Sequence, residues 1–228
     1  MNVSHFDIYI QIVVFLFAVC VHESAHAWMA DRCGDPTAKM LGRITLNPIK
    51  HIDPFGTVLL PLIGLISGFG MFGWAKPCPV TPENFREPVR GDILTTAAGP
   101  VSNFILVCAS MLVLVLISVV SPSGKEMVYN IAQGAWTDTT SPLMPIVWLL
   151  HSTLRMNVLL GVFNFIPIPP LDGSHILRHL LPQGARNAYD SLGMIGFIIA
   201  FMVGGPVLRV VMPPILGFLN SILVGITG

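Results

Sequence analysis

His22, Glu23, Ser24, Ala25 and His26 set two imidazoles four residues apart with a carboxylate beside the first. On an α-helix four residues rise about 6 Å and turn about once, so both rings leave one face and can reach a single metal ion. Glu23 then stands where the general base of a metal-assisted hydrolysis belongs. Residue frequencies alone produce this pentapeptide in about one chain in a hundred of this length, so its setting matters. The surrounding run from Ile8 to Ala30 is apolar, and ionisable groups inside a bilayer-spanning helix are costly and seldom kept without a partner or a function. The plain alternative is that His22 and His26 bond neighbouring helices while Glu23 stays protonated.

A catalytic zinc takes three protein ligands and leaves one position open, so this pair needs a third side chain. The best candidate is Asp172, in the stretch Asn164-Phe165-Ile166-Pro167-Ile168-Pro169-Pro170-Leu171-Asp172-Gly173. Its prolines end the preceding helix and hold the following backbone extended, which gives the carboxylate a direction.

The elements that must position these groups are membrane helices. Of the 228 residues, 53% are hydrophobic and only 11% charged, against about a quarter charged in an ordinary soluble domain. Equal numbers of basic and acidic residues, with no basic run, exclude a nucleic-acid surface. The cysteines Cys20, Cys33, Cys78 and Cys108 lie far apart and form neither a disulfide framework nor a CxxC site. The apolar N-terminal stretch lacks a basic leader and a small-residue cleavage site, so it is expected to remain in the mature protein.

Ile8 to Ala30, Ile93 to Val120 and Leu143 to Ile166 are each long enough to cross a bilayer. Gly56 to Phe72 is shorter and broken by Pro61, Gly64, Gly68 and Gly70, which predicts a short span or a re-entrant segment. Beyond Ser191 one or two further spans are expected, interrupted at Gly204-Gly205-Pro206 and at Pro213-Pro214. The expected architecture is an all-α polytopic membrane protein of about five to six spans. A short strand-containing or re-entrant region lies between the first two core helices. The chain reads as one domain over 1-228, with its core at about 8-175 and C-terminal membrane segments at about 190-225. Seven of the twelve Lys and Arg residues lie between 31 and 92, which puts those flanks, and the ends of helices bearing both motifs, toward the cytoplasm.

With both motifs in place, the chain resembles the site-2 protease family of intramembrane zinc metalloproteases. That family pairs HExxH on one membrane helix with N-x-x-P-x-x-x-L-D-G on a later one, and residues 164 to 173 match the second pattern at every fixed position. Between them, Ala98-Gly99-Pro100-Val101-Ser102-Asn103 is similar to the family's A-G-P-x-x-N element. The resemblance covers about residues 8 to 175. It implies one zinc ion per chain held by His22, His26 and Asp172, with Glu23 activating water and Asn164 hydrogen-bonding the substrate carbonyl or oxyanion. For Asn164 the alternative is pairing between helices, and for Asn103 it is satisfying backbone freed at the Gly-Pro step. The implied partners are transmembrane protein or peptide substrates in a lipid bilayer. A homo-oligomer or a separate regulatory partner is compatible with the sequence, and no nucleic acid is. The expected setting is multi-pass in a prokaryotic plasma membrane. Many relatives carry a PDZ or nucleotide-sensing domain, for which this chain has no residues.

A substrate helix must be unwound before attack, and Leu41 to Leu46 and Phe72 to Val80 read as strand-like pieces to which extended substrate could add. The alternative is a loop that plugs the water path. His5, His51, His151, His175 and His179 are set aside as metal ligands. His175, three residues past Asp172, is expected to support the site or face solvent. A transporter with a buried ion path is the competing class, but it gives no reason for HExxH and LDG to occur together.

Overall fold

The computed structural model describes residues 5–67, 73–135 and 141–227. Nine α-helices are assigned among them. Four are long and apolar enough to cross a membrane: α1 (His5–Cys33), α4 (Pro88–Val120), α6 (Met144–Asn164) and α9 (Gly193–Thr227). The first three coincide with the three apolar runs. The shorter elements are α2 (Thr37–Met40), α3 (Leu60–Ser67), α5 (Pro122–Ala132), α7 (Asp172–Leu180) and α8 (Gln183–Asp190). The protein is an all-α polytopic membrane protein.

Two finer expectations take definite form. Beyond residue 191 the chain makes one helix, α9, which runs through Pro206, Pro213 and Pro214. Proline withholds an N–H and crowds the preceding turn, yet membrane helices tolerate it because there is no water to reward unwinding. The region between the first two core helices contains no strand among its described residues. Its apolar part is a π-helical turn over Pro54–Leu59 leading into α3, with Asp53 accepting from the Phe55 and Gly56 amides at the start. Residues 68–72 of the expected re-entrant piece lie outside the described residues, as does Phe72 of the second strand-like piece. From residue 73 to 81 the backbone is irregular, tied by Trp74 N–H to the Gly56 carbonyl (3.1 Å) and Lys76 N–H to the His51 carbonyl (2.8 Å).

Helices α1, α4 and α6 pack as successive antiparallel neighbours. The buried positions of α1 include Val14, Ala18, His22, His26 and Ala30, spaced by four, so both histidines lie on the stripe that faces the bundle. Alanines on that stripe let α1 and α4 approach closely, the usual device where lipid offers no hydrophobic driving force. On the other side Val107 and Leu114 of α4, Val128 of α5, Val147, Leu154 and Val158 of α6 and Leu223 of α9 form the apolar centre.

Two polar clamps fasten the 35–81 region. Asp35, fully buried, accepts from the Thr37 amide (3.1 Å), the Thr81 amide (2.7 Å) and Asn84 Nδ2 (2.9 Å). Buried Arg43 donates to the carbonyls of Lys50 (2.7 Å), Pro77 (3.1 Å) and Lys76, so it pins the 73–81 segment to the preceding loop.

Candidate metal centre

One stripe of α4 organises the site. Asp92, Thr95, Gly99 and Asn103 follow at intervals of three, four and four residues and so share a helix face. Asn103 Oδ1 is 2.7 Å from His22 Nδ1, and the Thr95 carbonyl is 2.7 Å from His26 Nδ1. Between those contacts lies Gly99. A Cβ there would overlap His26 Nε2 and come within 2.7 Å of His22 Cε1, so only glycine leaves room for both rings.

The tautomers follow from the partners. A carbonyl only accepts, so His26 Nδ1 carries the proton. For His22 the same conclusion passes through two amides. Asn157 Nδ2 donates to the Thr153 carbonyl (2.8 Å), which leaves Asn157 Oδ1 to accept from Asn103 Nδ2 (2.7 Å). Asn103 therefore presents Oδ1 to His22, whose Nδ1 must donate. Both asparagines are fully buried. Asn103 thus spends nothing on the backbone freed by Pro100; it orients a histidine.

With both Nδ1 atoms protonated, the two Nε2 lone pairs face each other at 3.0 Å, and Asp172 Oδ2 joins them at 3.1 Å from His22 and 3.4 Å from His26. Three acceptors converge with no proton among them in the neutral tautomers. Such a set is strongly repulsive unless a cation lies between. Zinc with ligands at about 2.0–2.1 Å in tetrahedral geometry sets its donors about 3.3 Å apart, and the observed spacings fit that ion. Among the described residues this is the one group of His, Cys, Asp and Glu donors so clustered, its ligand atoms all within 4.8 Å. Glu23 Oε2 and Asp172 Oδ2 are buried without a hydrogen-bond partner among the described residues, as bare acceptors beside the two Nε2 lone pairs would be.

Asp172 is the first residue of α7. Gly173 after it seats that turn directly on the end of α6, since a Cβ would overlap the Phe165 carbonyl and lie 2.9 Å from that of Ile166. The far end of α7 is hung on α4: Asp92 accepts from His179 Nε2 at 2.7 Å and faces His175 Nδ1 at 3.3 Å. His175 Nδ1 donates to the Asp92 carboxylate, and that hydrogen bond outweighs burial, so the His175 pKa is raised. His175 supports the site through Asp92, and His179 does the same. His51 and His151 are used elsewhere, on the Thr45 carbonyl (2.8 Å) and Asn220 (3.3 Å). The side chain of His5 lies outside the described residues.

Asn164 ends α6, and its Nδ2 is bonded to the Leu160 carbonyl of its own helix at 3.0 Å. The 73–81 segment reaches the site through Cys78, whose thiol is pushed up to about 12 by burial and then by the Glu23 carboxylate. Asn157 was not among the expected site residues. An asparagine in mid-span is itself the signal, because its amide must find partners inside the bundle.

A sequence model described as peptidase family M50 matches residues 10–203. YwhC of Bacillus subtilis strain 168, named as a candidate zinc metalloprotease, is 38% identical over 84% of this chain and 79% of its own length. Rip2 of Mycolicibacterium smegmatis, named likewise, is 29% identical over 88% of this chain and 68% of its own. No solved structure matches.

Proposed function

This chain belongs to peptidase family M50 and is a zinc metalloprotease; we propose that it cuts transmembrane proteins within or near the bilayer, with His22, His26 and Asp172 holding the zinc. The observation that carries the assignment is the convergence of two Nε2 lone pairs and a carboxylate oxygen at 3.0–3.4 Å, with both Nδ1 protons committed elsewhere. Bound there, zinc supplies Lewis acidity, making a water acidic near neutral pH and polarising a peptide carbonyl.

The remaining chemistry belongs to the chain. Glu23 takes a proton from the attacking water as oxygen bonds to the scissile carbon, and returns one to the leaving nitrogen as the C–N bond breaks. Its Oε2 has no competing hydrogen bond to surrender. Asn164 assists if its amide turns from the Leu160 carbonyl toward the substrate oxygen; that exchange of one bond for another costs little. The 73–81 segment, whose Cys78 lies near enough to feel the Glu23 charge, must shift to admit an extended peptide. The basic residues between 31 and 92 support an active site nearer the cytoplasmic face.

The test is zinc content and cleavage of a model transmembrane substrate by purified protein in lipid. Glu23→Gln is expected to keep zinc and lose cleavage, and Asp172→Ala to lose much of both. Cleavage indifferent to both substitutions would overturn the residue roles while leaving family membership intact.

A further inference from the structure

Arg155 and Arg209 sit in mid-span, unlike the other ten basic residues, which lie in loops, in short helices or near the ends of spanning helices. Arg155 is the twelfth of the 21 residues of α6, and Arg209 the seventeenth of the 35 of α9. Their depth follows from the bundle. Arg155 is two residues from Asn157, which bonds Asn103, the sixteenth of the 33 residues of α4. The two helices run antiparallel, with His151 bonded to Asn220 and Gly204 against Phe163. That register sets Arg209 opposite about residue 159 of α6. The two arginines are then about 6 Å apart along the bundle axis.

Both side chains are exposed on the protein surface, and neither has an ion-pair partner among the described residues. An ionisable group at this depth marks a site unless it reaches the interface or finds a counter-charge. From Arg155 to the nearer end of α6 is nine residues, about 14 Å, roughly twice the length of its side chain. A second observation lies beside Arg209. Ile198, Met202, Gly205 and Arg209 form one exposed stripe of α9, and a Cβ on Gly205 would meet nothing within 4 Å. A small residue open on such a stripe is where another helix backbone can come close. Of the spanning helices, α9 is also the least covered, with 17% of its apolar window buried.

We propose that the α6–α9 face around Arg155 and Arg209 docks a membrane-spanning helix of another protein that carries an aspartate or glutamate near its midpoint. Its carboxylate pairs with the guanidinium groups, and its backbone approaches over Gly205. A second copy of this chain does not fit. Among the described residues its acids at this depth are Glu23 and Asp172, both within the candidate metal centre; the other described acids lie in loops, in the short helices or near the ends of the spanning helices.

The experiment uses the full chain, fluorescently labelled in phosphatidylcholine vesicles, with a synthetic leucine-rich transmembrane peptide bearing one central aspartate. Energy transfer should show association at least tenfold stronger than for the same peptide with leucine there. Arg155→Leu and Arg209→Leu should each weaken it several-fold, the double variant should reduce it to the leucine-peptide level, and lysine at either position should restore part of it. Equal association of the leucine peptide, or an unchanged double variant, would overturn the proposal. So would loss of binding in His22→Ala, which would place the peptide at the metal centre, or loss on exchange of phosphatidylcholine for phosphatidylglycerol, which would mean that lipid headgroups govern the site.

Discussion

Replacing Asn157 by leucine, a residue of similar size, should weaken zinc binding from a position that touches no proposed ligand. Asn157 Oδ1 holds Asn103 Nδ2 at 2.7 Å in a fully buried setting, and that bond decides which end of the Asn103 amide faces His22. Without it, the native orientation leaves a buried N–H unpaired, at a cost of about 1–3 kcal/mol. The flipped amide would present Nδ2 to His22, drive the proton to Nε2 and remove a ligand lone pair. Since that orientation leaves Oδ1 unpaired instead, the native preference of about 5- to 150-fold that the Asn157 bond supplied is what is lost. Loss of a direct partner of a metal-bound histidine typically costs about 10–100-fold in affinity. One amide further out, the expectation is near the lower end, about tenfold. Competition with a chromogenic chelator, at fixed pH and in lipid, measures it. His22→Ala serves as the reference for outright ligand loss, and thermal unfolding checks that the fold persists. If Asn157→Leu binds zinc within twofold of wild type while His22→Ala does not bind it, the relay is refuted and the ligand set survives.

Gly99→Ala should retain or gain helix content, since alanine is the better helix former by about 1 kcal/mol, yet lose zinc at least tenfold because the methyl overlaps His26; circular dichroism beside metal content separates the two effects. For Asp35, burial pushes the carboxyl upward, but hydrogen bonds from Asn84, Thr37 and Thr81 prevail and hold it below the ordinary 3.8. Its stabilisation is therefore complete above that value and lost as pH falls through the depressed one. Wild-type thermal stability should drop below pH 3.8 more steeply than that of Asp35→Ala, and the variant should be weaker near neutrality by about 1–3 kcal/mol. Cys78, with its thiol pushed up to about 12, should react with maleimide at pH 8 orders of magnitude more slowly than a free thiol of pKa about 8.5. Arg43→Ala, which releases the 73–81 segment, should speed that reaction, as mass spectrometry of the labelled peptide can show.

The meeting of His22, His26 and Asp172 and the three long helices were readable from residue order because each signal is local. HExxH is a helix face, LDG follows a proline stop, and twenty apolar residues need no partner to be recognised. Asn103 was visible only as part of a motif, with two roles open, because its choice between backbone and side chain is made by a histidine 81 residues away. Asn157 and the arginines of α6 and α9 lie inside apolar runs, where a hydropathy average conceals them. The strand-like reading of 73–80 failed for a related reason. An extended stretch needs ladder partners to become a strand, and those are a tertiary matter; here the backbone is anchored by Arg43, His51 and Gly56 instead.

The stripe on α4 has a mechanical meaning. His22 is referenced to residue 103, His26 to residue 95, and α7, which carries Asp172, to residue 92. A machinist would call α4 a common datum: positions gauged from one edge do not accumulate error along the path that joins the parts. Between His26 and Asp172 the chain runs through 145 intervening residues, and flexing in that long path need not reach the metal centre. Tilting α4 as a body carries all three donors together, whereas kinking it between residues 92 and 103 pulls them apart.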